Sequence, residues 1–461
     1  MKSFRFFTTA LFVFLQTLAH AQPHIQGNIA IKMKDGLIDC DFTLSNLPRL
    51  SQYKILLNHG MNLQYFTTDS GKVIRYEGFY SGKTRGEAIE YFFINNNNDT
   101  LKKMPESFGV KYRGAFPVYG EKLSFLDWKG KIVFNGQTLR ATEQSKWYPV
   151  IYDVVNDRII DTYTYKITVT TDDSKTVFIN GSLPQQTRVA TFTSAVPRQL
   201  LLFAGNYDYV NVGGNYILNA GLDTSTANQI FKELDKIKVF YQDKLGLSYK
   251  ENIYLISHKA VEPYGPQRSW GFAIFPSFAY AGLDFKTLIN AKRKFDFDNT
   301  AFFGHELAHY YFGSNVGSGI LQWFWLESTA EYLALKVAQE FTNETFYNEK
   351  VKDYANRIKN KKYKPLSQIK NVEEIDNDYR YSYGPLILLA FEKQFGEKQT
   401  YKVLSDVVKR SEKETISLRV LREIALANKI KTADFDAFYS TYLASDEALD
   451  HTIQRITIDK N

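Results

Sequence analysis

Short runs of alternating apolar and polar residues fill the chain from about residue 25 to 205. YKILLN, QYFTTD, VIRYEGFY and TYKITVTT alternate closely enough to suit strands whose side chains point to opposite faces. Between such runs lie NNNND at 95–99, DWKGK at 127–131, TTDDSK at 170–175 and NGS at 180–182. Asparagine and glycine there tolerate the left-handed backbone of tight turns. The pattern predicts an all-β sandwich or saddle-shaped domain over residues 22–205. After about 206 the period changes. In DTSTANQIFKELDKIKVFYQDKL (223–245), Ile230, Leu234, Ile237, Phe240 and Tyr241 recur at helical spacing, with Thr224 or Ser225 as the cap. IYLIS (253–257) and GFAIF (271–275) read as strands, and helices dominate from 298 onward. The expectation is a multidomain α+β protein, with an α/β domain over 206–395 followed by a helical part over 396–461.

The first residues read differently. Lys2 and Arg5 form a basic start, 6–15 an apolar run, and Ala19-His20-Ala21 a small-x-small site. That order predicts a secretory signal over residues 1–21 and an exported protein, periplasmic or extracellular. No later apolar run approaches the length of a transmembrane span; PLILLAF at 385–391 is about the longest. With one cysteine, Cys40, the chain forms no internal disulfide and must be held by its core. The formal net charge is +7 and basic residues cluster in AKRK (291–294) and NRIKNKKYK (356–364). No nucleic-acid motif accompanies them, so they read as solvated helix faces and no nucleic-acid partner is indicated.

Candidate chemistry concentrates in GHELAHYYFG (304–313), which holds two of the seven histidines. A helix turns by ~100° per residue, so positions i and i+4 lie one turn apart on one face. His305 and His309 can therefore address one zinc ion, while the adjacent Glu306 reaches a water beside it without being a ligand. A catalytic zinc takes a third protein ligand. The next histidine is His451, near the C-terminus, so a carboxylate is required; WFWLESTAEYLALKVAQ (323–339) offers Glu327 near the start of an apolar-faced helix. Gly313, Gly317 and Gly319 let the chain turn back between the two helices. Glu331, one turn beyond Glu327, can orient a ligand histidine. His59 and His258 lie outside any metal spacing and read as structural or surface residues. The aromatics of 310–325 read as core.

These residues also carry a family likeness. HELAHYYFGSNV resembles the HELAHxWFGN segment of the aminopeptidase N-like family of gluzincin zinc metallopeptidases, and ESTAEY (327–332) resembles its EGFAEY-type segment. YSYGPLILLAFEKQFG (381–396) is similar to the family's YxKGxxxLxxLxxxxG helix, and more faintly SKWYPVIYD (145–153) and LLFAGNYDYV (201–210) resemble its β domain and domain junction. The glycyl aminopeptidase-like family shares the zinc plan and competes as the source of the likeness. The resemblance implies a thermolysin-like α/β zinc peptidase domain after the β domain, ending in a helical subdomain. It implies one Zn2+ per chain on His305, His309 and Glu327, Glu306 as general base, and peptide substrates. An oxyanion-stabilising tyrosine falls on Tyr381, with Tyr379 and Tyr383 as alternatives. Gly271, Phe272 and Ala273 occupy the place of the family's substrate-binding GAMEN segment, but its amine-gripping glutamate has no counterpart between Glu262 and Glu306. Asp284 could substitute for it. Aminopeptidase and endopeptidase activity thus both stay open. So do a catalytically degenerate peptide- or protein-binding role and a zinc hydrolase of a non-peptide substrate.

Overall fold

The computed structural model describes residues 22–80, 88–120, 127–259, 261, 270–313, 316 and 319–457. The expected signal segment, 1–21, and Gly317 and Glu262 lie outside these residues.

Alternation in the N-terminal half becomes three sheets. One has seven strands in the order Val189–Gln199, Thr162–Thr171, His24–Lys32, Leu37–Ser45, Phe108–Ala115, Met61–Thr67, Val73–Ile74. Along Leu37–Ser45 every second residue is buried, so Ile38, Cys40, Phe42 and Leu44 form one inward face. A five-stranded sheet, from Arg158–Ile160 through Tyr53–Asn58 to Tyr76–Tyr80, closes on that face; Phe66 of the first sheet meets Phe93 of the second edge-to-face at 5.0 Å. VIRYEGFY is not one strand: Val73–Ile74 pairs in the seven-stranded sheet and Tyr76–Tyr80 in the five-stranded one. The run therefore crosses from one layer to the other.

The third sheet joins the two halves of the molecule. Its strands Thr176–Ile179, Leu202–Gly205 and Thr138–Ala141 are buried at every position. One face, with Leu139, Ile179 and Leu202, completes the β core. The other, with Phe178 and Phe203, packs on Tyr254, Ile256, Phe272 and Ala279 of the following domain. A sheet covered on both sides loses the alternation that marks a half-exposed strand.

The second half opens with a five-stranded sheet in the order Tyr209–Val212, Asn215–Leu218, Tyr254–His258, Ser277–Ala281, Trp270–Ile274. Trp270–Ile274 is the edge strand and runs antiparallel to its neighbour, with Phe272 opposite Ala279. The helix Thr224–Leu245 crosses between the strands Asn215–Leu218 and Tyr254–His258, which pair in parallel. Its cap is Asp223, whose side chain accepts from Thr226 N, rather than Thr224 or Ser225. The carboxylate wins because only it sits at the residue where the backbone is still extended (φ −76°, ψ 159°). The later helices share one large apolar core with this sheet. Among the described residues no helix is long and apolar enough to cross a membrane.

Candidate metal centre

The helix Phe297–Ala308 carries the first two candidate ligands. Asp296 starts it by accepting from Asn299 N. His305 lies in its last turn, and His309, at the C-cap, keeps right-handed backbone angles (φ −64°, ψ −11°). The two rings therefore keep the relation of helical neighbours. Helix Thr329–Phe341 packs closely against this one. A Cβ on Gly304 would meet Val337 at 3.0 Å, so the glycine sets how near the two helices come.

Glu327 arrives on a wide π-type turn, Phe324–Ser328, that runs straight into helix Thr329–Phe341. A second π-type turn, Tyr379–Tyr383, leads into helix Gly384–Phe395. The two turns touch: a Cβ on Gly384 would lie 2.1 Å from Ser328 Oγ. Such widened turns displace side chains from regular helical positions and recur at functional sites.

These elements bring His305, His309 and Glu327 together. His305 Nε2 lies 3.2 Å from His309 Nε2 and 3.4 Å from Glu327 Oε2, and His309 Nε2 lies 3.8 Å from the same oxygen. Donor atoms of a tetrahedral zinc with bonds of ~2.05 Å stand ~3.3 Å apart, so the triangle fits the ion. The ring nitrogens agree with that reading. His305 Nδ1 faces Glu331 Oε2 at 2.7 Å and His309 Nδ1 faces Phe312 O at 3.2 Å. Both acceptors call for a proton on Nδ1, which leaves two Nε2 lone pairs and a carboxylate converging on one point. Burial opposes a charge on His305, but Glu327 and Glu331 outweigh it and hold its pKa well above the ordinary value. At His309 burial prevails instead and lowers the pKa to about 4.

Glu331 is itself held by the hydroxyl of Tyr354, which donates to its other oxygen. Glu306 is 6% exposed and its Oε2 has no partner. Burial raises its pKa to about 7, with His305 opposing and Glu327 adding to the rise. Tyr381 donates to Glu327 Oε2 at 3.0 Å and its ring stands 5.9 Å from that of His305. Burial first and Glu327 second raise the pKa of its hydroxyl, so it stays a donor. Tyr379 and Tyr383 point elsewhere, packed against Tyr363 in the core. Of the three tyrosines, Tyr381 is the one at the metal triangle.

No family model and no curated protein matches the sequence. Solved structures do. Leukotriene A4 hydrolase from Saccharomyces cerevisiae aligns at TM-score 0.64 and 14% identity, over 92% of this chain and 67% of that one. A second structure of the yeast hydrolase aligns at 0.60 and 15%, over 93% and 66%, so the chain spans about two thirds of that protein's length. An M1 zinc metallopeptidase from Deinococcus radiodurans, bound to a Tyr-Ser-Ala substrate, aligns at 0.57 and 16%, over 94% of both chains. The fold is that of the M1 zinc metallopeptidases.

Within the M1 fold, the edge strand Trp270–Ile274 presents Gly271, Phe272 and Ala273 at the rim of the sheet whose next strand packs on the histidine helix, through Tyr280 against Phe302 and Phe303. Asp284 does not stand ready for a substrate amine: it is exposed and caps the short turn Phe285–Thr287 by accepting from Lys286 N. The β domain supplies what sequence spacing had not indicated. Lys129 Nζ donates to Ala273 O at 3.1 Å and pairs with Glu143 at 2.8 Å. His258 is buried against Asp127 of the β domain, 3.3 Å away, far from any ligand role.

Proposed function

We propose that the protein is a zinc metallopeptidase that hydrolyses bonds near the amino end of short peptides. The observation that carries this reading is the triangle of His305 Nε2, His309 Nε2 and Glu327 Oε2, whose sides match a tetrahedral zinc. Likeness in fold to an M1 zinc metallopeptidase that holds a tripeptide supports it. The leader-like order of residues 1–21 supports export of the activity.

Zinc held by the three side chains would supply Lewis acidity, activating a water and polarising the scissile carbonyl. Each remaining role belongs to the chain. Glu306, with a free oxygen and a pKa raised to about 7 by burial, takes the proton of the attacking water. It then passes that proton to the departing nitrogen. Tyr381 donates to the negative charge that develops on the carbonyl oxygen. Glu331, fixed by Tyr354, holds His305 in the Nδ1-protonated form. The open edge at Gly271, Phe272 and Ala273 offers main-chain groups to an extended peptide.

Digestion of a peptide library, with products read by mass spectrometry, tests the reading. Cleavage should stop with a chelator and return with zinc. Cleavage indifferent to the chelator, or none after zinc is restored, would refute it.

A further inference from the structure

Helix Thr329–Phe341 follows the turn that carries Glu327, and helix Gly384–Phe395 follows the turn that carries Tyr381. A polar cluster ties these two helices inside their apolar core. Tyr332 and Lys336, one turn apart on a single face of the first helix, both reach Glu392 on the second. The Tyr332 hydroxyl donates to Glu392 Oε2 at 2.5 Å. Lys336 Nζ donates to Glu392 Oε1 at 2.8 Å and to Gln339 Oε1 at 2.6 Å. Tyr332 is fully buried, Lys336 is 4% exposed, and the Glu392 side chain is 16% exposed.

Stability alone does not account for this cluster. A buried ion pair commonly stabilises no more than apolar side chains of the same volume, because both charges must leave water. Direction is what it adds. Ala330, Leu333, Leu386 and Leu389 share the surrounding apolar core, and contacts of that kind tolerate a small slide or rotation. Glu392 does not. With a donor from the first helix on each oxygen, it fixes both the rotation of that helix and its place along its axis. The widened turns make this fixing matter. Each closes its hydrogen bonds one residue later than a regular helix, so a return to regular geometry rotates one side against the other by ~100°. While Tyr332 and Lys336 stay on Glu392, helix Thr329–Phe341 cannot take up that rotation without stranding a buried ammonium. Glu327 thus keeps its place beside the histidines, and Tyr381 donates to it at 3.0 Å.

We propose that Lys336 and Glu392 are positioning residues, a buried clamp that locks the two helices in the register holding Glu327 on the metal and Tyr381 beside it. Both act through the turns ahead of their helices. The inference rests on the zinc peptidase reading for what that register serves.

The pair is replaced together, Lys336→Met with Glu392→Leu, which leaves an apolar core of similar volume and no stranded charge. Thermal melting, zinc affinity in competition with a chromophoric chelator, and kcat and KM on a cleaved peptide are then compared with the parent. Ile167→Ala, in the β core and away from both helices, controls for a general loss of stability. We expect the double variant to bind zinc at least about tenfold more weakly and to lose at least about tenfold in kcat, with KM within about twofold. Ile167→Ala should melt lower yet keep the parent's zinc affinity and kcat. Parent-like zinc affinity in a folded double variant overturns the clamp, and so does an equal loss in Ile167→Ala. Should the double variant fail to fold, Lys336→Met alone decides, since Glu392 there keeps the Tyr332 hydroxyl: zinc binding weaker by at least about threefold supports the clamp, and parent-like binding overturns it. A parent that holds zinc but cleaves no peptide sinks the peptidase reading, and zinc affinity still decides the clamp.

Discussion

Glu306 and Tyr381 are separated by 74 residues of chain, and the proposed mechanism gives them different work. Replacing Glu306 by Gln keeps the shape and removes the proposed proton carrier. Such a variant should hold zinc as the parent does while kcat falls by roughly 10²–10⁴, as read by metal content beside steady-state kinetics. Parent-like turnover would exclude Glu306 as the base. Tyr381→Phe deletes a single donor and should cost about 10²–10³ in kcat, with zinc retained. Glu331 bonds His305 across 2.7 Å, while its other oxygen accepts from Tyr354. Glu331→Gln should therefore weaken zinc affinity about 10–100-fold in a competition with a chromophoric chelator, an effect that an active-site base would not show. Unchanged affinity would make the contact incidental. The HExxH spacing lies within a single helical turn, so His305, Glu306 and His309 were legible in the sequence. Tyr354 and Lys129 were not, because each meets its partner through folding and no local period marks it.

At the scale of elements, two π-type turns and two helices place the ligands. Gly384 lets the Tyr379–Tyr383 turn approach Ser328 so closely that a Cβ there has no room. Gly384→Ala must push the Phe324–Ser328 turn aside, and Glu327 with it. Overpacking of this kind costs about 1–3 kcal/mol. The variant should show lower thermal stability and weaker zinc binding together, whereas loss of stability with zinc affinity intact would mean that the turn does not position Glu327. Helical periodicity revealed the helix that follows Glu327 but not the widened turn before it, which depends on tertiary packing. Likewise the crossing of VIRYEGFY between two sheets, and the sheet Thr138–Ala141 belongs to, escaped the alternation rule. Strands buried on both faces carry no alternation to read.

For the whole molecule, the junction of β domain and catalytic half contributes to the response to acid. His258 is buried between Asp127 and Arg140; burial first, then the Arg140 charge, push its pKa down to about 4, with Asp127 opposing. A histidine held neutral in the fold favours folding fully above its unfolded pKa of about 6.5. That contribution, on the order of 3 kcal/mol, is lost as pH falls from about 6.5 toward 4. His258→Gln, which does not titrate, should flatten the decline of melting temperature over that range; a decline as steep as the parent's would place the acid sensitivity elsewhere. Folding of the two halves onto each other also brings Lys129 to the edge strand. In the proposed centre three side chains hold one metal ion, and a diffraction experiment at the zinc absorption edge reads that ion itself. An anomalous peak bounded by His305 Nε2, His309 Nε2 and Glu327 is the predicted result, and crystals grown with zinc that show no peak there would contradict it.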